Sequence, residues 1–312
     1  MRRKIFVYAV AVLLLFGLLF VYVFIPGIVE LKADEEIRVT EPGLHRMLLN
    51  EKNVEKWWPG DISNNEFSLN GNTYSFHDNT IALLPVLISN TKKQTETQLL
   101  FIPLPQGILR VVWVGKMATS YNPVKRIQLW LTANRLQRDM NAILGRMKTF
   151  YEKQENIYGI KIKAELVKDT VLISTGAIYK GAYPNNQFIY QQIAKLRAYA
   201  AINKIQTMGF PMLNIDSVDS ANYNVRVAIP IERVIPDKED ILLKRMPGHG
   251  NILVAEVKGG EKTTREALNQ VVQYAKDHQR SFPGIPFYSL VTDRDKVTDT
   301  TQWITKIYCP VM

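Results

Sequence analysis

Two nine-residue stretches, YNVRVAIPI at 223–231 and WITKIYCPV at 303–311, follow one plan at an offset of 80. Each has an aromatic start, alternating positions, one basic residue on the even face (Arg226, Lys306) and a proline before an apolar end. Working outwards, IKIKAELVKDTVLIST (160–175) aligns with ILLKRMPGHGNILVAE (241–256) at an offset of 81, and GFPM (209–212) answers GIPF (284–287). Both copies then carry a helical stretch, around NQFIYQQIAKLRAYAAINKIQ and TTREALNQVVQYAKDHQ. The unit is therefore strand, helix, strand, strand, written twice. Each copy offers one apolar sheet face to its helix, so the pair is expected to make one domain about a pseudo-twofold axis.

Strand alternation assigns the faces. In WITKIYCPV, Trp303, Thr305, Ile307, Cys309 and Val311 share one side, and Ile304, Lys306 and Tyr308 the other. The duplication, with HGNILVAEVKGG opening the second copy and WITKIYCPV closing it, resembles the GyrI-like family, the effector-binding domain of AraC-type transcription activators, over residues 157–312. That resemblance implies a groove between the halves for small, often cationic or amphipathic molecules; some relatives hydrolyse reactive small molecules instead. It also implies a glutamate where this chain has Lys306, meeting a cationic ligand or serving as catalytic acid or base. Lysine inverts that charge, and Arg226 holds the matching place in the first copy. An anionic head on the ligand follows as the expectation. Glu256, on the central strand of the second copy, either supplies the missing carboxylate or pairs with Lys306. Trp303 and Tyr308 are expected to bracket the end of the terminal strand. The candidate ligand-binding residues here are Arg226, Glu256, Trp303, Lys306 and Tyr308.

At the other end, MRRKIFVYAVAVLLLFGLLFVYVFIPG holds 21 residues without a charge, from Ile5 to Ile25. As a helix rising about 1.5 Å per residue they reach about 30 Å, the thickness of a bilayer core. Tyr8 and Tyr22 sit near the two ends, and no small-x-small cleavage site precedes Pro26, so a retained anchor over residues 1–27 is expected rather than a cleaved signal. Arg2, Arg3 and Lys4 precede the run, while Glu30, Asp34, Glu35 and Glu36 follow it. The positive-inside rule then puts the N-terminus in the cytoplasm and the folded domains outside, as a single-pass protein of the cell membrane.

Between anchor and duplication, the order is a short helical segment ending in NVEKWWPG, strand-like segments with a turn at Asn70-Gly71, and a closing amphipathic helix in NRLQRDMNAILGRMKTFYEKQ. RIQLWLT (126–132) reads as the last of the strands, and Asn134 with Gln137 as the capping-box start of the helix. Leu136, Met140, Ile143, Leu144, Met147, Phe150 and Tyr151 form its apolar stripe. This arrangement resembles the START-like SRPBCC superfamily of polyketide cyclase type, over residues 28–154. A helix-grip fold follows from that resemblance, with a cavity between sheet and helix for an apolar or aromatic ligand. Trp57, Trp58, Tyr74, Phe101 and Trp113 are its candidate lining, against the alternative of plain core packing.

The whole chain thus reads as α+β: an N-terminal transmembrane helix, a helix-grip START-like domain at 28–154, and a duplicated strand-helix-strand-strand GyrI-like domain at 155–312. The formal net charge of +10 is spread thinly, with 16 basic against 14 acidic residues over 26–155 and 20 against 15 over 156–312. No basic arm marks a nucleic-acid partner. Four histidines and one cysteine show no zinc spacing; His45, His77, His249 and His278 lack catalytic company. DRDKVTD lacks the glycine and distal glutamate of a calcium loop, and no stretch implies a cofactor. The function expected is binding or sensing of a small amphipathic ligand at the membrane, without a DNA-binding domain. A membrane-tethered hydrolase or cyclase acting on such molecules is the alternative.

Overall fold

The computed structural model describes residues 2–48, 51–63, 66–76, 83–90, 93–168 and 170–312, so His77 lies outside the described residues. They fall into two compact units, Met1–Lys153 and Gln154–Met312. Both are α+β, each built on one antiparallel sheet.

The first unit runs α1 (Arg2–Phe24), β1 (Ile28–Ile37), α2 (Glu41–Leu48), α3 (Glu51–Val54), β2 (Asp61–Ser63), β3 (Glu66–Leu69), β4 (Asn72–Phe76), β5 (Leu83–Asn90), β6 (Lys93–Leu104), β7 (Ile108–Ala118) and α4 (Pro123–Tyr151). The sheet order β1-β7-β6-β5-β4-β3-β2 is a meander whose first strand returns to lie beside its last. In β1, Val29, Leu31 and Ala33 are buried while Glu30, Lys32 and Asp34 are exposed, the period-two signature of a strand with one covered face. That cover is α4, which packs on β1 and buries Leu136, Met140, Ile143, Leu144, Met147 and Tyr151. Between β3 and β4 the chain reverses at Asn70 (φ 50°) and Gly71 (φ 78°), the two left-handed positions a type I′ turn requires.

Two expectations for this unit are corrected. RIQLWLT is helix, not strand: α4 begins eleven residues before Asn134, at Pro123, where the Asn122 side chain accepts from the backbone N–H groups of Val124 and Lys125. The alternation of Ile127, Leu129 and Leu131 mimicked a strand, but the Asn-Pro start fixes a helix there and Arg126, Ala133 and Leu136 are its buried side. The membrane span over residues 5–25 is the second. Among the described residues no helix is long and apolar enough to cross a membrane. The single-pass topology and extracytoplasmic placement inferred from that span fall with it. What the structure shows instead is a helix whose C-terminal end is tied to the start of α4. Arg126 donates from Nε and Nη2 to the Ile25 carbonyl (2.9 and 2.6 Å) and lies 4.9 Å from the Tyr22 ring centre.

The second unit runs α5 (Gln154–Tyr158), β8 (Ile162–Leu166), β9 (Thr170–Lys180), α6 (Asn186–Ile202), β10 (Met212–Ser217), β11 (Asn222–Ile231), β12 (Leu242–Met246), β13 (Asn251–Lys258), α7 (Glu261–Asp277), β14 (Phe287–Leu290) and β15 (Ile304–Val311). Its eight-stranded order, β12-β9-β11-β10-β14-β15-β13-β8, is a palindrome under the repeat, with β9, β10 and β11 answering β13, β14 and β15. A further strand leads each copy, and these are exchanged: β8 pairs with β13 of the second copy, β12 with β9 of the first. Helix α6 packs on β9 and β11, α7 on β13 and β15. Val225, Val227, Ile229 and Ile231 in β11, and Thr305, Ile307, Cys309 and Val311 in β15, are buried on that side.

Two substitutions gauge the first unit. Asn122→Ala removes the α4 cap and lowers stability by about 1 kcal/mol; Met140→Ala, at a fully buried site, lowers it by about 2–5 kcal/mol. Both are read from the urea midpoint followed by tryptophan fluorescence.

Candidate functional site

Register brings the two basic residues to the same side of the second sheet, away from the helices. Arg226 stands between Gly176 and Asn214, and Lys306 between Glu256 and Ser289. Neither is left alone. Arg226 donates from Nη1 to Asn214 Oδ1 (2.7 Å) and forms an ion pair with Asp216. Lys306 Nζ lies 3.6 Å from Glu256 Oε2. Tyr308, next along the same side, stacks on Phe287 at 5.1 Å between ring centres and 11° between planes. Lys306, Glu256 and Tyr308 are thus neighbours, with Arg226 their counterpart in the other copy. Trp303 is not among them: it is buried on the helix side, its Nε1 donating to the Val297 carbonyl (2.8 Å).

Beside Arg226 the sheet floors an open groove of about 1070 Å³. Its floor is Met212, Asn214 and Ala228; Leu242 and Met246 of the exchanged β12 form one wall, and Ile285 and Phe287 the other. Apolar side chains share the lining with the charged groups of Arg226, Glu239, Asp240, Lys244 and Arg245. Glu256, Trp303, Lys306 and Tyr308 do not line it. Leu242 and Met246 had no signal in the sequence as site residues, because their place depends on β12 crossing into the first copy. His249, at a turn on the groove's edge, adopts φ 68°, a left-handed conformation unusual for a residue with a side chain.

The aromatics of the first unit pack against one another. Trp58 lies 5.3 Å from Tyr74, Tyr74 6.0 Å from Trp113, and Trp57 6.0 Å from Tyr151. Phe101 is buried as well, its ring 4.8 Å from that of His45. Each indole N–H is used: Trp57 donates to Tyr151 Oη (3.1 Å), Trp58 to the Ser68 carbonyl (3.1 Å) and Trp113 to Thr97 Oγ1 (2.8 Å). A hollow of about 1240 Å³ in this unit lies instead on the outward side of the sheet, among Glu30, Lys32, Glu96, Gln98 and Lys116. Among the described residues no group of three or more His, Cys, Asp or Glu is placed to hold a metal ion.

No protein-family model and no curated protein matches the chain. Solved structures do. The EcmrR C-terminal domain is 15% identical with a TM-score of 0.40, covering 49% of this chain and 98% of its own. SAV2435 bound to tetraphenylphosphonium is 16% identical with a TM-score of 0.34, covering 49% and 94%. An aromatase/cyclase from Streptomyces sp. R1128 is 10% identical with a TM-score of 0.29, covering 38% and 92%. Likenesses this loose decide neither the family nor the ligand.

Cys309 is fully buried, and burial pushes its thiol up to about 11. The native thiol therefore stays protonated where the unfolded one, with an ordinary value near 9, ionises. Stability is expected to fall as pH rises from about 9 to 11, because the unfolded chain then binds fewer protons than the native one. Iodoacetamide at pH 8 is expected to leave Cys309 unmodified in the folded chain and to alkylate it fully in urea, as read by mass spectrometry.

Proposed function

We propose that residues 155–312 form a GyrI-like effector-binding domain that holds a small amphipathic molecule in the groove beside Arg226, and that residues 28–154 form a START-like domain preceding it. The groove itself carries this reading. It is concave, its lining mixes apolar side chains such as Met212, Leu242 and Ile285 with charged groups, and its volume suits an organic molecule at or above the roughly 300–1,000 Å³ of ordinary ligand pockets. The palindromic strand order supports the GyrI-like part.

The chemistry beside Arg226 favours an oxyanion. The Arg226–Asp216 pair is exposed on both sides (41% and 49%), and such pairs are worth about 0–1 kcal/mol. Arg226 can therefore exchange Asp216 for a ligand carboxylate, sulfonate or phosphate at little cost. A charge-assisted hydrogen bond there contributes roughly 1.5–3 kcal/mol, or about tenfold to a hundredfold in affinity. The apolar body of the ligand would add about 25 cal/mol for each Å² it removes from water. No cofactor and no nucleic acid enters this reading.

The test is a titration of the full chain with anilinonaphthalene sulfonate, and separately with the lipophilic cation tetraphenylphosphonium. Ala228→Trp fills the groove and should abolish sulfonate binding. Arg226→Gln should weaken it about tenfold or more, and Asp216→Asn, which frees Arg226, should strengthen it. Sulfonate binding that survives Ala228→Trp places the ligand elsewhere.

A further inference from the structure

The strand register puts a second cation in the groove beside Arg226. On β9, Gly176 pairs with Arg226 of β11, Ser174 with Ala228 of β11 and Leu242 of β12, and Leu172 with Lys244 of β12. Gly176, Ser174 and Leu172 alternate along one strand, so these partners all stand on one side of the sheet. That side is the groove, whose lining includes Arg226, Ala228, Leu242 and Lys244. Arg226 and Lys244 therefore flank β9 on opposite sides, at positions four residues apart along it. With strands about 4.8 Å apart and a rise of about 3.3 Å per residue, their Cα positions are about 16 Å apart.

The floor between them is uncharged. The intervening row reads Leu242, Ser174, Ala228 and Met212 across β12, β9, β11 and β10. Its one polar side chain is already used, because Ser174 Oγ donates to the Leu242 carbonyl (3.3 Å). Along this diagonal the groove presents a cation, an apolar floor and a second cation. Arg226 is paired with Asp216, whereas none of the ion pairs among the described residues includes Lys244. The acids of the lining do not answer it. Asp240 is held by Lys195 of α6, and Glu239 stands in the tight turn closed by the backbone bonds between Lys238 and Ile241, before β12 begins.

We propose that the ligand of this groove is a long-chain α,ω-dicarboxylate, or a chain of similar length ending in two other oxyanions, with one head on Arg226 and the other on Lys244. This rests on the groove being the ligand site. The chain would cross the Leu242–Ser174–Ala228–Met212 row, which offers it apolar contact and no competing charge. Arg226 would hold its head through a planar donor fork, and Lys244 would meet the other as a point charge on a flexible stem. A short diacid cannot reach both, so chain length becomes a basis of selection.

The experiment is calorimetric titration of the full chain with sebacate, with decanoate, which has the same chain and one head, and with succinate. Sebacate should bind, and succinate should bind at least about tenfold more weakly. Arg226→Gln should weaken sebacate and decanoate alike, by about tenfold. Lys244→Gln should weaken sebacate about fivefold more than decanoate, the scale of an exposed ion pair, and Lys244→Arg should restore sebacate binding. Lys244 is exposed, so both variants are expected to fold as the wild type does. Sebacate binding that is unchanged in Lys244→Gln, or that falls there no more than decanoate binding, overturns the two-headed ligand while leaving the groove as a site for one head. Binding that survives Ala228→Trp, or a wild-type chain that takes up none of the three acids, overturns the groove reading and the two-headed ligand together.

Discussion

The exchange of leading strands holds the second unit together. At its centre the two copies meet through β10 and β14, and that pairing spans only Met212 with Ser289 and Leu213 with Tyr288. A contact so short is a weak joint for two four-strand halves. The joint is reinforced at the outer edges, where β12 pairs with β9 over five residues and β8 with β13 over five. Each copy therefore completes the sheet of the other. The groove depends on the same device, because Leu242 and Met246 reach it only by belonging to a strand whose own copy lies across the sheet.

The first unit solves a similar problem by filling space. A seven-stranded sheet wrapped against one long helix leaves an interior that either binds something or packs itself. Here Trp57, Trp58, Tyr74 and Trp113 occupy it, and the hydrogen bonds of the indoles to Tyr151, Ser68 and Thr97 fix each ring in place. A ligand entering that space would have to displace both the rings and these bonds. The acidic Asp139 on α4 accepts from Asn70 and Asn72 at the β3–β4 turn (2.7 and 3.4 Å), so the hairpin tip is fastened to the helix as well.

Much of this was legible in the sequence where a repeat or a period carried it. The duplication follows from two strands at an offset of 80, and the two faces of β15 follow from alternation alone. What was not legible depends on partners distant in the chain. Strand exchange leaves no trace in composition, since β8 and β12 have the same character whichever copy they join. The start of α4 was hidden because Ile127, Leu129 and Leu131 alternate by chance at the helix N-terminus, while the decisive Asn122-Pro123 lay upstream. The span expected over residues 5–25 rested on an uncharged run, tyrosines near its ends and the lack of a cleavage site before Pro26, and the described helices do not support it. The neutralisation of Arg226 was missed for a subtler reason: Asp216 reaches it across the β10–β11 hairpin, ten residues back in the chain.

That last detail also distinguishes the two copies. In the sheet register Gly176 stands beside Arg226 where Glu256 stands beside Lys306; at the offset of 75 set by GFPM and GIPF, Asp216 stands where the second copy has Val291. In each copy the basic residue has an acid partner, but on different strands: Lys306 pairs outward to Glu256 on β13 and Arg226 inward to Asp216 on β10. The charge balance is the same and the space is not. With no side chain at Gly176, and only the Val225 carbonyl within 4.0 Å of where a Cβ would sit, the sheet beside Arg226 is open. The matching area of the second copy is occupied by Glu256 and by the Tyr308–Phe287 stack. Two copies alike in strand order thus differ in the space left beside their basic residues.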